Sequence, residues 1–369
     1  MASPAVPAIP GGINELTAEW IEMALQRTAP GSRIASITMQ RVGEGVGFLG
    51  ELTRVSITYA QNPADAGPSS VIVKLPTNMP EPRAIAAGMG FYEREVGFYR
   101  EFSEQAGPRV PRCYYVEYEP ATQAFVLVLE DFPEAAAGDQ LASCTEEQAK
   151  LAVRELAKLH ARWWESDALA RYDWLHKEGH VFIQILKGAH LQFLPVFEEH
   201  WAHKFDPMVG RVARALGERY DQYIEMLMSM RATLAHQDYR LDNVLFGPPG
   251  TSEEIVVLDW QLVQKNTGLT DLQYFIAGNL RSDVRKKMTD DLVRLYHDGL
   301  CEGGVRDYSL AQCKDDFVRA SSVLGFYVVT GVANIDPNNY DERGHDVIEL
   351  LYGSLADAIV EYEAERWIP

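Results

Sequence analysis

The chain has 369 residues, 47% of them apolar and 24% charged, with a formal net charge of −19. That length suits about two domains, and the balance is that of a folded globular protein. So acidic a surface repels phosphate backbones, which argues against nucleic acid as a partner. Any anionic ligand must then be held by local cations, backbone N–H groups and metal.

No apolar run reaches the roughly 18 residues of a membrane span. The opening MASPAVPAIPGG lacks the basic and apolar regions of a secretory signal and reads as a flexible arm over 1–14. Cys113, Cys144, Cys301 and Cys313 are scattered, without CxxC spacing. This fits neither a zinc site nor a disulfide scaffold, and it points to a reducing, cytoplasmic setting.

In chain order, Leu16, Trp20, Ile21 and Ala24 fall at helical spacing and predict an amphipathic helix. Short β-like runs follow: ITMQRV, then LTRVSITYA with Val55, Ile57 and Tyr59 alternating, then VIVKLP after a Pro/Gly/Ser turn. A helical segment carries Tyr92, Val96 and Tyr99, and the turn at Pro108–Pro111 leads to CYYVEYE and FVLVLEDF. Beyond Phe132 the texture is mainly helical. Thr145 and Gln148 form a predicted capping box for EEQAKLAVRELAKLHARWW. The runs NVLFG and EIVVLDW interrupt this part as short strands. The expected organisation is a β-rich lobe over 15–132 and a helical lobe over 133–369.

The most informative segment is His236–Asn243, HQDYRLDN, followed by Asp259 in VVLDWQ. Phosphoryl transfer needs an acceptor hydroxyl in line with the γ-phosphate and cations to neutralise charge on the phosphoryl oxygens. The pattern H-x-D-x-x-x-x-N supplies Asp238 to accept the hydroxyl proton and the Asn243 amide oxygen, a hard ligand suited to Mg²⁺. Asp259, expected at the tip of an apolar strand, would bridge metal and phosphates. His236 reads as a brace of the loop, and Arg240 is a candidate contact for the transferred phosphate. Gly45, Gly47 and Gly50 form a G-x-G-x-x-G that precedes a β-run rather than a helix, so a hairpin turn is expected. Such a turn can cradle phosphates through backbone N–H groups, or simply be a turn.

HQDYRLDN and LDWQ resemble the catalytic and metal-binding loops of the aminoglycoside phosphotransferase/choline kinase superfamily. The closest branch includes ecdysteroid-kinase-like proteins and the kinase domains associated with acyl-CoA dehydrogenases. The resemblance implies an α+β, protein-kinase-like two-lobed fold, with a small antiparallel-sheet N-lobe and a larger helical C-lobe. It implies ATP and Mg²⁺ as cofactors and transfer of phosphate to a small-molecule hydroxyl. Protein kinases usually carry Arg after the His and Phe-Gly after the metal-binding Asp. Here Gln237, Trp260 and Gln261 stand instead, so a protein acceptor and a regulatory Phe flip are not implied. By the same resemblance Lys74 contacts the α/β-phosphates. Glu95, in an E-x-x-F-Y pattern, is its partner in preference to Glu93, and Glu130 and Phe132 bind adenine through their backbone. Asp271 resembles a structural aspartate that braces the catalytic loop, although an N-cap role fits the sequence equally.

The acceptor is less legible. The aromatic residues Trp163, Trp164, Tyr172, Trp174, Phe182, Phe193, Phe197, Trp201 and Phe205 read mostly as core, with the remainder able to line an apolar pocket. That suits a lipophilic alcohol or a hydroxyacyl compound. A choline- or aminoglycoside-like cation is the alternative acceptor, and a pseudokinase or ligand-binding protein is the alternative class. His190, His200 and His203 lack a convincing metal-ligand pattern.

Overall fold

The computed structural model describes residues 8–42, 49–60, 67–175, 181–333, 335 and 345–369, with the side chains of 181 and 182 left aside. The chain divides into two compact units. The first comprises Met1–Ala106, Val110–Glu134 and Asp259–Leu262. The second comprises Gly107–Arg109, Ala135–Leu258 and Val263–Pro369.

The first unit is built on a five-stranded sheet, β1 (Ile34–Val42), β2 (Gly50–Tyr59), β3 (Ser70–Pro76), β4 (Cys113–Glu119) and β5 (Ala124–Glu130), in the order β1-β2-β3-β5-β4. Every neighbouring pair is antiparallel. Helices α1 (Ala18–Leu25), α2 (Pro80–Gly88) and α3 (Phe91–Glu101) complete it. Thr17 caps α1 by accepting from Trp20 N, and the predicted stripe of Leu16, Trp20, Ile21 and Ala24 is fully buried. It packs with Val55, Ile57, Val71, Val73, Leu75, Val126 and Val128 in one cluster. Strand alternation then sends Lys74, Phe125 and Leu127 to the opposite face. There Lys74 meets Glu95 of α3, and Phe125 meets the Tyr92 ring at 4.8 Å. Both faces of the central strands are covered, which is why FVLVL reads as an unbroken apolar run rather than an alternating one.

One polar lock in this unit has no local sequence signal. Asp131, with a side chain only 2% exposed, accepts from Arg54 Nε and Nη2 at 2.8 and 3.0 Å and from Ser70 Oγ at 2.6 Å. It ties β2 and β3 to the segment that leaves β5.

The second unit is mainly helical: α4 (Glu146–Arg162), α5 (Val181–His200), α6 (Pro207–Ser229), α7 (Leu269–Asn279), α8 (Ser282–Glu302), α9 (Leu310–Ala320), α10 (Val323–Val332) and α11 (Gly353–Glu361). Thr145 and Gln148 cap α4 reciprocally, as predicted. Short strands β6 (Ala136–Ala137), β8 (Val244–Phe246) and β9 (Ile255–Val257) form one sheet; β7 (Ala232–Ala235) pairs with β10 (Gln264–Thr267). No helix among the described residues is long and apolar enough to cross a membrane.

Because Arg54 is one-third exposed and Asp131 is not, the two halves of their pair should respond unequally to removal. Arg54→Ala leaves a buried carboxylate short of its cation and is expected to cost about 3 kcal/mol. Asp131→Ala should cost less, since the guanidinium can turn to water. Chemical denaturation of both variants checks the order; equal losses would contradict it.

Candidate functional site

Within the first unit three charged side chains gather. Lys74 Nζ lies 2.7 Å from Glu95 Oε1 and 3.4 Å from Asp259 Oδ1. Strand β3 delivers the lysine and α3 delivers Glu95, which is 2% exposed, whereas Glu93 faces solvent. The sequence pattern's preference for Glu95 therefore agrees with the contact. Burial opposes charge on Lys74, but the carboxylates of Asp259 and Glu95 more than offset it and hold the amine above its usual value. Burial pushes the Glu95 carboxyl up, against the pull of Lys74. Gly50 pairs with Pro76 in the sheet register, and a Cβ there would sit 3.0 Å from Lys74 Cε and 3.3 Å from Leu75 O. The missing side chain makes room for the lysine stem. Gly45 and Gly47 lie outside the described residues.

Asp259 departs from its expected place at a strand tip. Strand β9 ends at Val257: the Leu258 N–H still donates to its in-register partner, Asn243 O, at 2.8 Å, but the Leu258 carbonyl accepts from His236 Nε2 at 2.8 Å and the Asn243 N–H turns to Arg240 O, so the ladder stops there. Asp259 then takes a left-handed backbone, φ +59°, rare for a non-glycine residue and costly unless its surroundings impose it. The next residue supplies a restraint. Trp260 is fully buried and stacks face to face on Phe98 of α3, centroids 3.7 Å apart and planes 4° apart. Phe98 follows Glu95 by three residues and shares its helix face, so one stack fixes both carboxylates that hold Lys74.

Within the second unit the loop 236–243 is tied from several sides. Asn243 Nδ2 donates to Asp238 O at 2.9 Å and to Asp238 Oδ2 at 2.8 Å. With Nδ2 engaged by two acceptors, the Asn243 Oδ1 is the atom of this amide suited to a cation. Arg240 Nε lies 3.2 Å from Asp238 Oδ1, and its Nη1 bonds Asp242 Oδ2 and Gln140 Oε1. Burial opposes the Arg240 charge, and Asp238 leads the groups that raise its pKa above the usual value. His236 is fully buried: Nε2 donates to Leu258 O while Nδ1 accepts from Asp238 N, which makes it a brace.

Asp271, on the first turn of α7, explains why the loop holds its form. It makes no N-cap bond. Oδ2 accepts from His236 N at 2.6 Å and Oδ1 from Gln237 N at 2.7 Å. His160 Nε2 adds a contact to Oδ2 at 3.2 Å. Gln237 sits at φ +67°, a turn that presents consecutive N–H groups to one carboxylate. Gly268 is required beside it, since a Cβ would fall 2.4 Å from His160 Nδ1.

The other expected residues are placed as follows. Glu130 ends β5, where its N–H donates to Arg112 O and its Oε2 accepts from Arg112 N; Phe132 is buried. Of the aromatic residues considered for an acceptor pocket, Trp163, Phe197 and Trp201 are core, and Trp164, Tyr172, Trp174, Phe193 and Phe205 are half-buried. The side chain of Phe182 lies outside the description. Burial, with a smaller contribution from Asp238, raises the pKa of the Tyr274 and Tyr327 phenols; sequence reasoning had not singled out either residue. The available signal was spacing: Tyr274 follows Asp271 by three on one helix face.

No cluster of three or more His, Cys, Asp or Glu suited to a metal occurs among the described residues. Mg²⁺ does not need one. It commonly takes one or two protein oxygens and completes its shell with water and phosphate, and Asn243 Oδ1 and the Asp259 carboxylate are groups of that type.

Three solved structures share this architecture. A candidate aminoglycoside phosphotransferase from Ralstonia eutropha JMP134 aligns at 14% identity over 94% of this chain and 97% of that one, TM-score 0.56. Choline kinase from Cryptosporidium parvum Iowa II aligns at 12% over 94% and 95%, TM-score 0.52. A microcompartment-associated aminopropanol kinase aligns at 14% over 95% and 99%, TM-score 0.51. At such identities the likeness establishes the fold, the two-lobed kinase-like one that the loop motifs implied. No curated protein matches the chain by sequence. A family model matches residues 44–304, and the chain belongs to the ecdysteroid kinase-like family.

Two predictions follow from the first-unit cluster. In Lys74→Met the Glu95 carboxyl loses its cation and its pKa rises further above the ordinary 4.5. The folded variant then keeps a proton that the unfolded chain releases, so its stability should fall as pH rises above that value. Melting temperature against pH should show this slope in Lys74→Met and not in Lys74→Met/Glu95→Gln; the same slope in both would exclude Glu95 as its source. Separately, Trp260→Ala is expected to cost about 3–5 kcal/mol, and Trp260→Phe, which keeps a ring against Phe98, clearly less. Equal losses in denaturation would show that stacking contributes nothing beyond volume.

Proposed function

We propose that the protein is an ATP- and Mg²⁺-dependent phosphotransferase that moves the γ-phosphate to a hydroxyl of a small molecule, a lipophilic alcohol or hydroxyacyl compound. The observation that carries this reading is the setting of Asp238. Its carboxylate is oriented by Asn243 and Arg240, in a loop whose backbone is held by Asp271. A carboxylate restrained in this way can accept a hydroxyl proton as the oxygen attacks phosphorus, with little reorganisation.

The remaining roles follow from donor chemistry. Lys74, kept cationic by two carboxylates, is suited to the α/β-phosphates, with Glu95 setting its direction. Backbone N–H groups of the segment carrying Gly45, Gly47 and Gly50 would meet phosphate oxygens, and the backbone of Glu130 and Phe132 would meet adenine. Asn243 and Asp259 would hold Mg²⁺, which when bound supplies neutralisation of charge on the phosphoryl oxygens. Arg240 keeps Asp238 in place and contributes positive charge near the transferred group. The names of the similar structures, kinases of choline and aminopropanol and an aminoglycoside phosphotransferase, support a small hydroxyl-bearing acceptor.

Incubating the protein with γ-labelled ATP and a cell metabolite extract tests the reading. Wild type is expected to label at least one small molecule, and Asp238→Asn to slow that transfer about 10²–10⁴-fold while still binding ATP. Equal labelling by both proteins, or labelled protein in place of a labelled metabolite, would overturn it.

A further inference from the structure

The two edges of the five-stranded sheet are guarded unequally. At one edge, β4 carries Glu117 and Glu119, is bulged between Cys113 and Tyr115, and has α1 and α3 lying against it. Charge, a bulge and a covering helix are ordinary protections against an added strand. At the other edge, β1 is nine residues long and contains no proline, lysine or carboxylate. Its bulge lies at the very start, between Ile34 and Ser36. From Ser36 to Val42 it runs in unbroken register with β2, and Ser36 and Thr38–Arg41 are exposed.

The register shows which backbone groups face outward. Ile57 N donates to Ser69 O at 2.8 Å, toward β3. Bonding direction alternates along an antiparallel strand, so Arg54, Ser56 and Thr58 bond toward β1, to their partners Gln40, Thr38 and Ser36. The N–H and C=O groups of Ile37, Met39 and Arg41 therefore point off the edge of the sheet. No hydrogen bond among the described residues reaches them. Their side chains share one face: Ile37 packs against the α1 cluster, and Met39, next along, is 46% exposed.

We propose that β1 is the contact through which two copies of this chain associate, paired antiparallel about a two-fold axis at Met39. Such a contact must be complementary to itself, and this strand is. With Met39 opposite its own copy, Ile37 stands opposite Arg41, and every outward group of both strands is bonded. The two sheets become one. The paired methionines are flanked by Ile37 and the aliphatic stem of Arg41, while Thr38 meets Gln40 on the other face. Charge favours the same strand. Two copies at −19 each repel, yet residues 33–42 carry only Arg33 and Arg41. Each already holds a carboxylate, Glu22 at 2.7 Å and Glu51 at 3.3 Å. The strands are thus neutral where they meet. The two Arg41 residues lie about 13 Å apart along the strand direction, far enough for salt to screen them. A contact through β4 would instead bring carboxylates together.

Sedimentation velocity of the full-length protein over a concentration series tests this. Wild type is expected to pass from monomer to dimer as concentration rises. Met39→Lys sets like charges face to face on the axis, and Met39→Pro removes an outward N–H while sparing the β1–β2 ladder. Each should weaken association about tenfold. Met79→Lys, at an exposed methionine off this strand, should dimerise as wild type does. Cross-linking under a copper–air oxidant gives a second readout. Met39→Cys should link to itself, since Cα atoms of a hydrogen-bonded antiparallel pair lie about 5.5 Å apart, within disulfide reach. Gln40→Cys, which stands opposite Thr38, should not. A wild type that stays monomeric throughout, dimers indifferent to both Met39→Lys and Met39→Pro, or stronger cross-linking of Gln40→Cys than of Met39→Cys would each overturn the proposal.

Discussion

A carboxylate taken out of water must be given donors, and Asp271 is given four: the N–H groups of His236 and Gln237, the side-chain amide of Gln237 and the imidazole of His160. Only a turned chain can bring consecutive N–H groups to one acid, so Gln237 adopts its left-handed conformation and the following residues leave in a fixed direction. Asp238 and Asn243 inherit their positions from that turn. The histidines on either side are consequences of the same requirement: His160 completes the aspartate's shell, and His236 uses its ring to tie the loop to Leu258.

The first unit solves a related problem with the opposite sign. Lys74 is an ammonium group at the centre of a sheet whose other face is hydrocarbon, and it is tolerable only because Glu95 and Asp259 surround it. Each unit therefore contains a buried charge whose partners include the residues proposed for the chemistry. Under that proposal stability and function are linked: loss of a partner would disturb the fold as well as the chemistry. The left-handed residues Gln237 and Asp259 mark the two places where backbone preference yields to this arrangement.

Much of the fold was legible because its signals are local. Alternation of Val55 and Ile57, the apolar FVLVL run, the stripe on α1 and the Thr145–Gln148 box each lie within a few residues. Within the candidate site, the contacts that were legible are those that short spacing carries, Asn243 on Asp238 within HQDYRLDN and Glu95 rather than Glu93 on Lys74. What escaped was made of partners far apart in sequence. Asp131 is paired with Arg54 and Ser70, and no window contains all three. In the densest aromatic region Trp163, Phe197 and Trp201 are core, as read, but the half-burial of Trp164, Tyr172, Trp174, Phe193 and Phe205 depends on elements distant in sequence. Asp259 was expected at a strand tip, and the turning of the Leu258 carbonyl to His236 ended the strand sooner.

The parallel rings of Phe98 and Trp260 carry an evolutionary corollary. Two faces in contact over their whole area leave little tolerance for independent drift, because neighbours sharing one contact are energetically coupled. Across diverging homologues these two positions should change as a couple, ring exchanged for ring or both rings lost together. A lineage that shed only one would have to rebuild the seat of the lysine's two carboxylates by other means.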